Sequence, residues 1–407
     1  MKNNNETEKM SDEMRFRGFM VWRKDLCHIN KTCDDHCSRF GRYFDLTLLV
    51  TNHARIGDRI SSEGTRVVVV QCPKNRVMAL CIFYIKAAVF FMREHRKEPF
   101  HFILSPVGEE PVGFLFKLLS FPRTKLIFDL YDVPGASIIV KGSPLPKRIA
   151  WKIYRWVLAW SIRKGDVILA GVVIEGLRRF NIPEERLIDA EKGVPLEYFD
   201  PRKVEANEKI WSFAENKRLL YIGYIHEKRG AGDIIHAVRE LVLKGVKVSL
   251  MLIGPCSKDT LNKLRSLVSS LELESYVSIL APVDSTEMPG VIAGSEICVC
   301  PVVDIEQYRW SYPLKVNEYL AMGKPVIATK LVGTSRIVKE GVNGLLYPSG
   351  DVEGLARCIE TLATDEELYR RLAAAARDSV LDNDWEILVR NLAGKIKEHL
   401  SGRGSAC

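Results

Sequence analysis

Residues 311–350 read SYPLKVNEYLAMGKPVIATKLVGTSRIVKEGVNGLLYPSG. A helix is expected to begin after Pro313 and stop at Gly323, with a short apolar strand, Pro325 to Ala328, directly behind it. A helix starting there aims its unpaired backbone N–H groups and positive dipole end at whatever lies before it. An anion such as a nucleotide diphosphate suits that position, close to Leu314 and Lys315. Lys315 and Glu318 fall one turn apart on the same helical face. A cation and a hydroxyl-binding carboxylate can therefore project together toward a sugar nucleotide.

Outward from this stretch, short apolar runs alternate with longer helical patterns. Upstream lie RLLYIGYI (218–225), helices at 232–244 and 259–271, and the runs VSLMLIGP, YVSILAPV and EICVCPVV. The first half repeats the rhythm with FRGFMVW, FDLTLLV, RVVVVQC, FHFILSP, KLIFDLYD and DVILA, and with helices at 76–95 and 147–163. Continuous apolar strands alternating with helices are the signature of parallel sheets covered on both faces. The fold class is therefore α/β, with two doubly wound, Rossmann-like domains facing across a cleft, and ligand expected at the carboxyl ends of the strands. GVPLEYFDPRKVEANEKI, rich in Pro and charge and without periodicity, marks the join. The expected layout is a disordered lead-in at 1–14, an acceptor domain at 15–198, a nucleotide-sugar domain at 199–381, and a last helix at 382–407 that returns to the first domain.

The 407 residues exceed what one hydrophobic core serves. Net charge is +8, a modest lean toward anionic partners, and no nucleic-acid motif accompanies it. Ten scattered cysteines, many in apolar runs, suit reduced thiols in the cytoplasm rather than a disulfide scaffold. The segment 78–92 is the most apolar helix candidate, and at this length with Lys86 inside it falls short of the ~20 residues of a membrane span. A cytoplasmic protein is expected, soluble or peripheral on the cytosolic face of a membrane.

Four constellations could carry chemistry. In YIGYIHEKRGAGD, Gly223 permits close backbone approach, while Lys228 and Arg229 place cations beside a helix start, as pyrophosphate requires; a merely solvated basic loop is the alternative. KLIFDLYDVPG delivers Asp129 and Asp132 to a strand end, where either could orient or deprotonate an acceptor hydroxyl, or else cap a helix. From Val133 to Gly165 there are seven basic residues and no acidic one. Lys147, Arg148, Lys152 and Arg155 lie on the helix there, with Trp151, Tyr154 and Leu158 on one side and Ile149, Ile153, Trp156 and Trp160 on the other. That combination suits an anionic membrane surface or a lipid-linked acceptor, unless both apolar stripes are buried. CHINKTCDDHC (27–37) matches no common zinc spacing, and packed thiols are expected instead.

With YIGYIHEKRG, LMLIGP, EICVCPVV, EYLAMGKPVIA, EGVNGLLYPSGD and KGVPLEYFDP in view, the chain resembles the family 4 (group 1) glycosyltransferases, retaining nucleotide-sugar enzymes of the GT-B fold. The resemblance implies that Glu318 binds the nucleotide ribose and that backbone amides near Leu314 and Lys315 hold the diphosphate. It also implies that Arg229 matches a diphosphate-binding lysine, that Gly254 lies near the base, and that no catalytic metal is needed. Three departures stand out: Trp310 where the family has a sugar-contacting glutamate, Tyr224 where an arginine follows the strand glycine, and VWRKD in place of a first-strand glycine pair. Lys315 or Arg23 could replace the lost positive charge. The function this implies is transfer of a hexose from a nucleotide diphosphate sugar to a hydroxyl of a glycan or lipid-linked acceptor. The alternatives are a catalytically degenerate nucleotide-binding relative and a nucleotide-sugar epimerase.

Overall fold

The computed structural model describes residues 16–22, 40–51, 65–73, 75–106, 109–120, 124–130, 133–134, 144–171, 173–214 and 216–401. Asp132, Arg23, the 27–37 segment and the lead-in lie outside them. The chain divides into two compact units, residues 1–190 with 389–407, and residues 191–388. The first break falls after Ala190 rather than after residue 198, because the intervening residues are tied into the second unit. Val194 bridges Asp384 in parallel, and the Trp385 amide donates to the Val194 carbonyl at 3.1 Å.

The first unit holds a parallel sheet of β1 (Arg17–Trp22), β2 (Asp45–Thr51), β3 (Thr65–Val70), β4 (Phe102–Pro106), β5 (Lys125–Asp129), β6 (Val167–Ala170) and β7 (Leu187–Asp189). Their order is β3-β2-β1-β4-β5-β6-β7. Side chains alternate across a strand, so Phe19 and Met20 of β1 enter different cores. Phe19 meets Phe91 and Phe116 at centroid distances of 4.7 and 5.2 Å, which binds the helices Arg76–Lys97 and Glu110–Ser120 to the sheet. Met20 joins Phe44, Phe102 and, from the far end of the chain, Leu392, Ala393 and Ile396 of the Trp385–Leu400 helix.

In the second unit the sheet is β8 (Lys217–Ile222), β9 (Val248–Ile253), β10 (Val277–Leu280), β11 (Ile297–Cys300), β12 (Val326–Thr329) and β13 (Gly344–Tyr347), all parallel, in the order β10-β9-β8-β11-β12-β13. The order reverses between β8 and β11, so the carboxyl ends of these two strands flank a topological switch point, where such sheets bind ligands. Strand β12 begins at Val326 rather than Pro325, since proline has no N–H to give a ladder. The three-residue β7 and the helix Val352–Thr364 are additions to the expected pattern.

Candidate active site

Everything placed at the β8/β11 switch point comes from four short segments. Strand β8 ends at Ile222, and Gly223 follows at φ +136°, a conformation that side-chain-bearing residues rarely adopt. Gly254, at φ +152° after β9, is pressed against it: a Cβ on Gly254 would lie 1.9 Å from the Gly223 carbonyl oxygen. A Cβ on Gly223 itself would meet nothing closer than 3.7 Å, and one of the two atoms at that distance is Lys315 Nζ. The glycine therefore leaves open the space into which the lysine reaches.

Lys315 sits in the first turn of the Leu314–Ala321 helix, which starts at Pro313 as the sequence requires. Two hydrogen bonds fix this helix. Tyr319 accepts from the Ile222 amide at 2.7 Å, and the Asn317 side chain donates to the Lys192 carbonyl at 3.2 Å. The residue Lys315 is half-buried, yet its ammonium is wholly covered and has no hydrogen-bond partner. It lies 3.7 Å from the centre of the Tyr221 ring. A desolvated cation–π contact returns on the order of 2 kcal/mol, short of the several kcal/mol that burying an ion costs. Burial accordingly pushes the ammonium pKa down to about 8, with Arg229 adding to the depression and Glu318 opposing it.

Arg229 repeats the pattern. It ends a single 3₁₀ turn, Glu227–Arg229, between β8 and the Ala231–Leu243 helix, and its guanidinium lies 4.3 Å from the Tyr308 ring centre. Its Nε is buried without a partner. The Val303 amide donates to the Lys228 carbonyl at 3.3 Å, tying this loop to the segment after β11. A covered ammonium and a guanidinium whose covered Nε–H is unsatisfied, set at one switch point, describe a place where negative charge belongs. Glu318, half-buried one turn beyond Lys315, shares the helix, whereas Lys228 is exposed.

Two tyrosines of this site, Tyr221 and Tyr308, escape the sequence reading. Tyr221 shows only as one more apolar position of a buried strand, and the ring that Tyr308 sets under Arg229 comes from the separate Glu306–Arg309 helix. Tyr224 is half-exposed, with its ring stacked on His226 at 6.0 Å, while its carbonyl accepts from Tyr221 Oη at 2.9 Å. It contributes no charge where the departure from the motif occurs. Trp310 is half-buried and closes the Glu306–Arg309 helix.

In the first unit, Asp129 is buried at the end of β5, beside Pro106 of β4. Lys147, Arg148, Lys152 and Arg155 are exposed on the Leu145–Ile162 helix. Of the two apolar stripes flanking them, Leu158 is buried and Trp151 and Tyr154 half-buried, whereas Ile149, Ile153, Trp156 and Trp160 face outward. Among the described residues, no group of three or more His, Cys, Asp or Glu side chains is gathered as a metal site. Likewise no helix there is long and apolar enough to cross a membrane.

Comparison with known proteins meets this geometry where the cations are. Residues 216–365 match the family described as glycosyl transferases group 1, and they contain Gly223, Arg229, Gly254, Lys315 and Glu318. The match to the group 1 glycosyltransferases lies wholly within the second unit. The chain is 26% identical to WcaL of Escherichia coli K12, named for colanic acid biosynthesis, over 58% of its own length and 57% of that protein's. It thus spans little more than half of that relative. It is 23% identical to the alpha-D-kanosaminyltransferase of Streptomyces kanamyceticus, over 80% of this chain and 86% of that one. Anabaena HepE in complex with UDP superposes with a TM-score of 0.74 at 17% identity, covering 96% of this chain and all of the other. The second unit and the one preceding it therefore share the GT-B fold of two parallel-sheet α/β units.

Proposed function

We propose that this chain transfers a hexose from a nucleotide diphosphate sugar to a hydroxyl of a glycan or lipid-linked acceptor, with retention of configuration. The observation that carries the reading is the covered, unpaired Lys315 ammonium beside Arg229, whose buried Nε–H is likewise unpaired, at the switch point of the domain that matches the group 1 family. In transfer, the bond from the anomeric carbon to the diphosphate breaks, a bond to the acceptor oxygen forms, and the hydroxyl proton leaves. Negative charge accumulates on the departing diphosphate, so prearranged cations stabilise the transition state more than the ground state. Arg229, Lys315, and the first amides of the helix at Leu314 and Lys315 take that charge. Lys228 supplies long-range attraction from the exposed loop.

In the same reading Glu318 accepts from the ribose hydroxyls, Gly223 and Gly254 leave room for the nucleotide, and Asp129 with Asp132 orients or deprotonates the acceptor. Cations in place of a metal predict that transfer persists in EDTA. The protein would work in the cytoplasm and, where the acceptor is lipid-linked, against the cytosolic face of a membrane through Lys147, Arg148, Lys152 and Arg155.

A screen of nucleotide sugars by thermal shift finds the donor, since a ligand at 100 times its Kd stabilises the fold by about 2.7 kcal/mol. With that donor, Glu318→Ala should lower transfer sharply while the protein remains folded; unchanged turnover refutes the assignment. Trp310 and Tyr224 favour a second reading, a binding-only relative. Tight nucleotide binding with neither transfer nor slow donor hydrolysis would decide for it. Donor converted to an epimer without acceptor would instead reveal an epimerase.

A further inference from the structure

In the first unit, the steps β3 to β4, β4 to β5 and β5 to β6 all run the same way across the sheet. Right-handed crossovers then put the helices Arg76–Lys97, Glu110–Ser120 and Leu145–Ile162 on one face, and neighbours among them are in contact. Phe114 of the middle helix meets Trp160 of the third edge-on at 4.6 Å. The outer surface of such a layer is ordinarily polar. Here it is not.

Of the eighteen large apolar side chains that stand exposed among the described residues, four lie on the first of these helices, three on the second and five on the third. Two thirds of the exposed apolar surface residues thus share one layer. Ile85 is 63% exposed, Leu118 56%, and Trp156 69%. Apolar surface gathered in this way marks a binding face.

Charge says what covers it. The two acids of the three helices, Glu94 and Glu110, are both buried. Arg148, Lys152 and Arg155, at i, i+4 and i+7, line one border of the outward stripe formed by Ile149, Ile153 and Trp156. A second copy of this chain docked on the same face would set cations against cations with no exposed acid from these helices to answer them. An anionic lipid surface answers both features, with phosphates against the basic border and the acyl boundary against the apolar stripe.

We propose that the three-helix layer is a membrane-insertion face for an anionic bilayer, in which Trp156, Ile153 and Ile149 enter the acyl boundary and Leu115 and Leu118 extend the inserted plane. This deepens the membrane part of the function proposed above and is independent of the donor chemistry. A chain that binds vesicles yet transfers no sugar would keep the inference and sink the activity, and the converse would do the opposite.

The test is sedimentation of the full chain with phosphatidylcholine vesicles, with and without phosphatidylglycerol, alongside tryptophan emission. Binding should require the anionic lipid and shift the emission to the blue. The exposed-site variants I149S/I153S/W156S and L115S/L118S, with every cation intact, should each bind roughly tenfold more weakly, as loss of inserted apolar side chains demands. Each cation removed from Lys147, Arg148, Lys152 and Arg155 by mutation to Gln should cost about fivefold. If the serine variants bind like the unaltered chain, contact is electrostatic alone and insertion is wrong. If the unaltered chain ignores vesicles but self-associates, and the serine variants are monomers, the occupant is a second copy and the proposal fails.

Discussion

Lys315 holds the most consequential atom of the molecule, an ammonium covered by protein and facing an aromatic ring instead of an anion. Its pKa near 8 has two consequences of definite sign. In the free protein, the unfolded chain still holds this proton between about pH 8 and 10.5 when the folded chain has released it, so stability contributed by this group rises with pH across that window. A bound diphosphate needs the charged form, so affinity should run the other way. Binding of a nucleoside diphosphate, followed by calorimetry, is expected to be flat below pH 8 and about tenfold weaker at pH 9. Lys315→Arg should remove that dependence, and Lys315→Met should bind weakly and without pH dependence, converging with the unaltered protein at high pH. A flat profile in the unaltered protein would mean that Lys315 does not meet the phosphates.

At the scale of elements, the Leu314–Ala321 helix is too short to hold itself. Its position depends on packing and on the bond from the Ile222 amide to the Tyr319 hydroxyl. Tyr319→Phe leaves that buried N–H unpaired and should cost about 1–3 kcal/mol, read as a lower denaturation midpoint with an unchanged m-value. Nucleotide affinity should fall with it, because Lys315 and Glu318 ride on the same helix. The helix was readable beforehand, since Pro313 and Gly323 bracket it. So were the buried strands β2, β4 and β5, whose continuous apolar runs have no other home than a two-sided sheet. What could not be read was which surface a residue meets. Both sides of the Leu145–Ile162 helix look alike in sequence, and only packing put Leu158 inside and Trp156 out. For the same reason Lys315 could be placed on a helix but not over Tyr221. The triplet β7 is below the length at which any pattern shows.

For the whole molecule, each unit has its own core, so damage to one should be separable from the chemistry of the other. Ile396→Ala empties a position that is 2% exposed in the core around Met20 and Phe44. It should cost the first unit about 2–5 kcal/mol. Hydrogen exchange would show faster exchange in β1 and β2, while amides of β8 and β9 and nucleotide affinity stay as they were. Equal loss of protection in both sheets would mean that the units unfold as one.

The helix that supplies Ile396 is made after the whole body of the second unit, whereas the strands it covers are made before it. A ribosome has therefore emitted β1, β2 and β4 long before Leu392, Ala393 and Ile396 exist to cover that side of the sheet. The second unit can close on itself in the meantime. Between these two units the natural order of domain folding during synthesis is thereby reversed: the one begun earlier is completed later, and until then its uncovered strands remain within reach of chaperones.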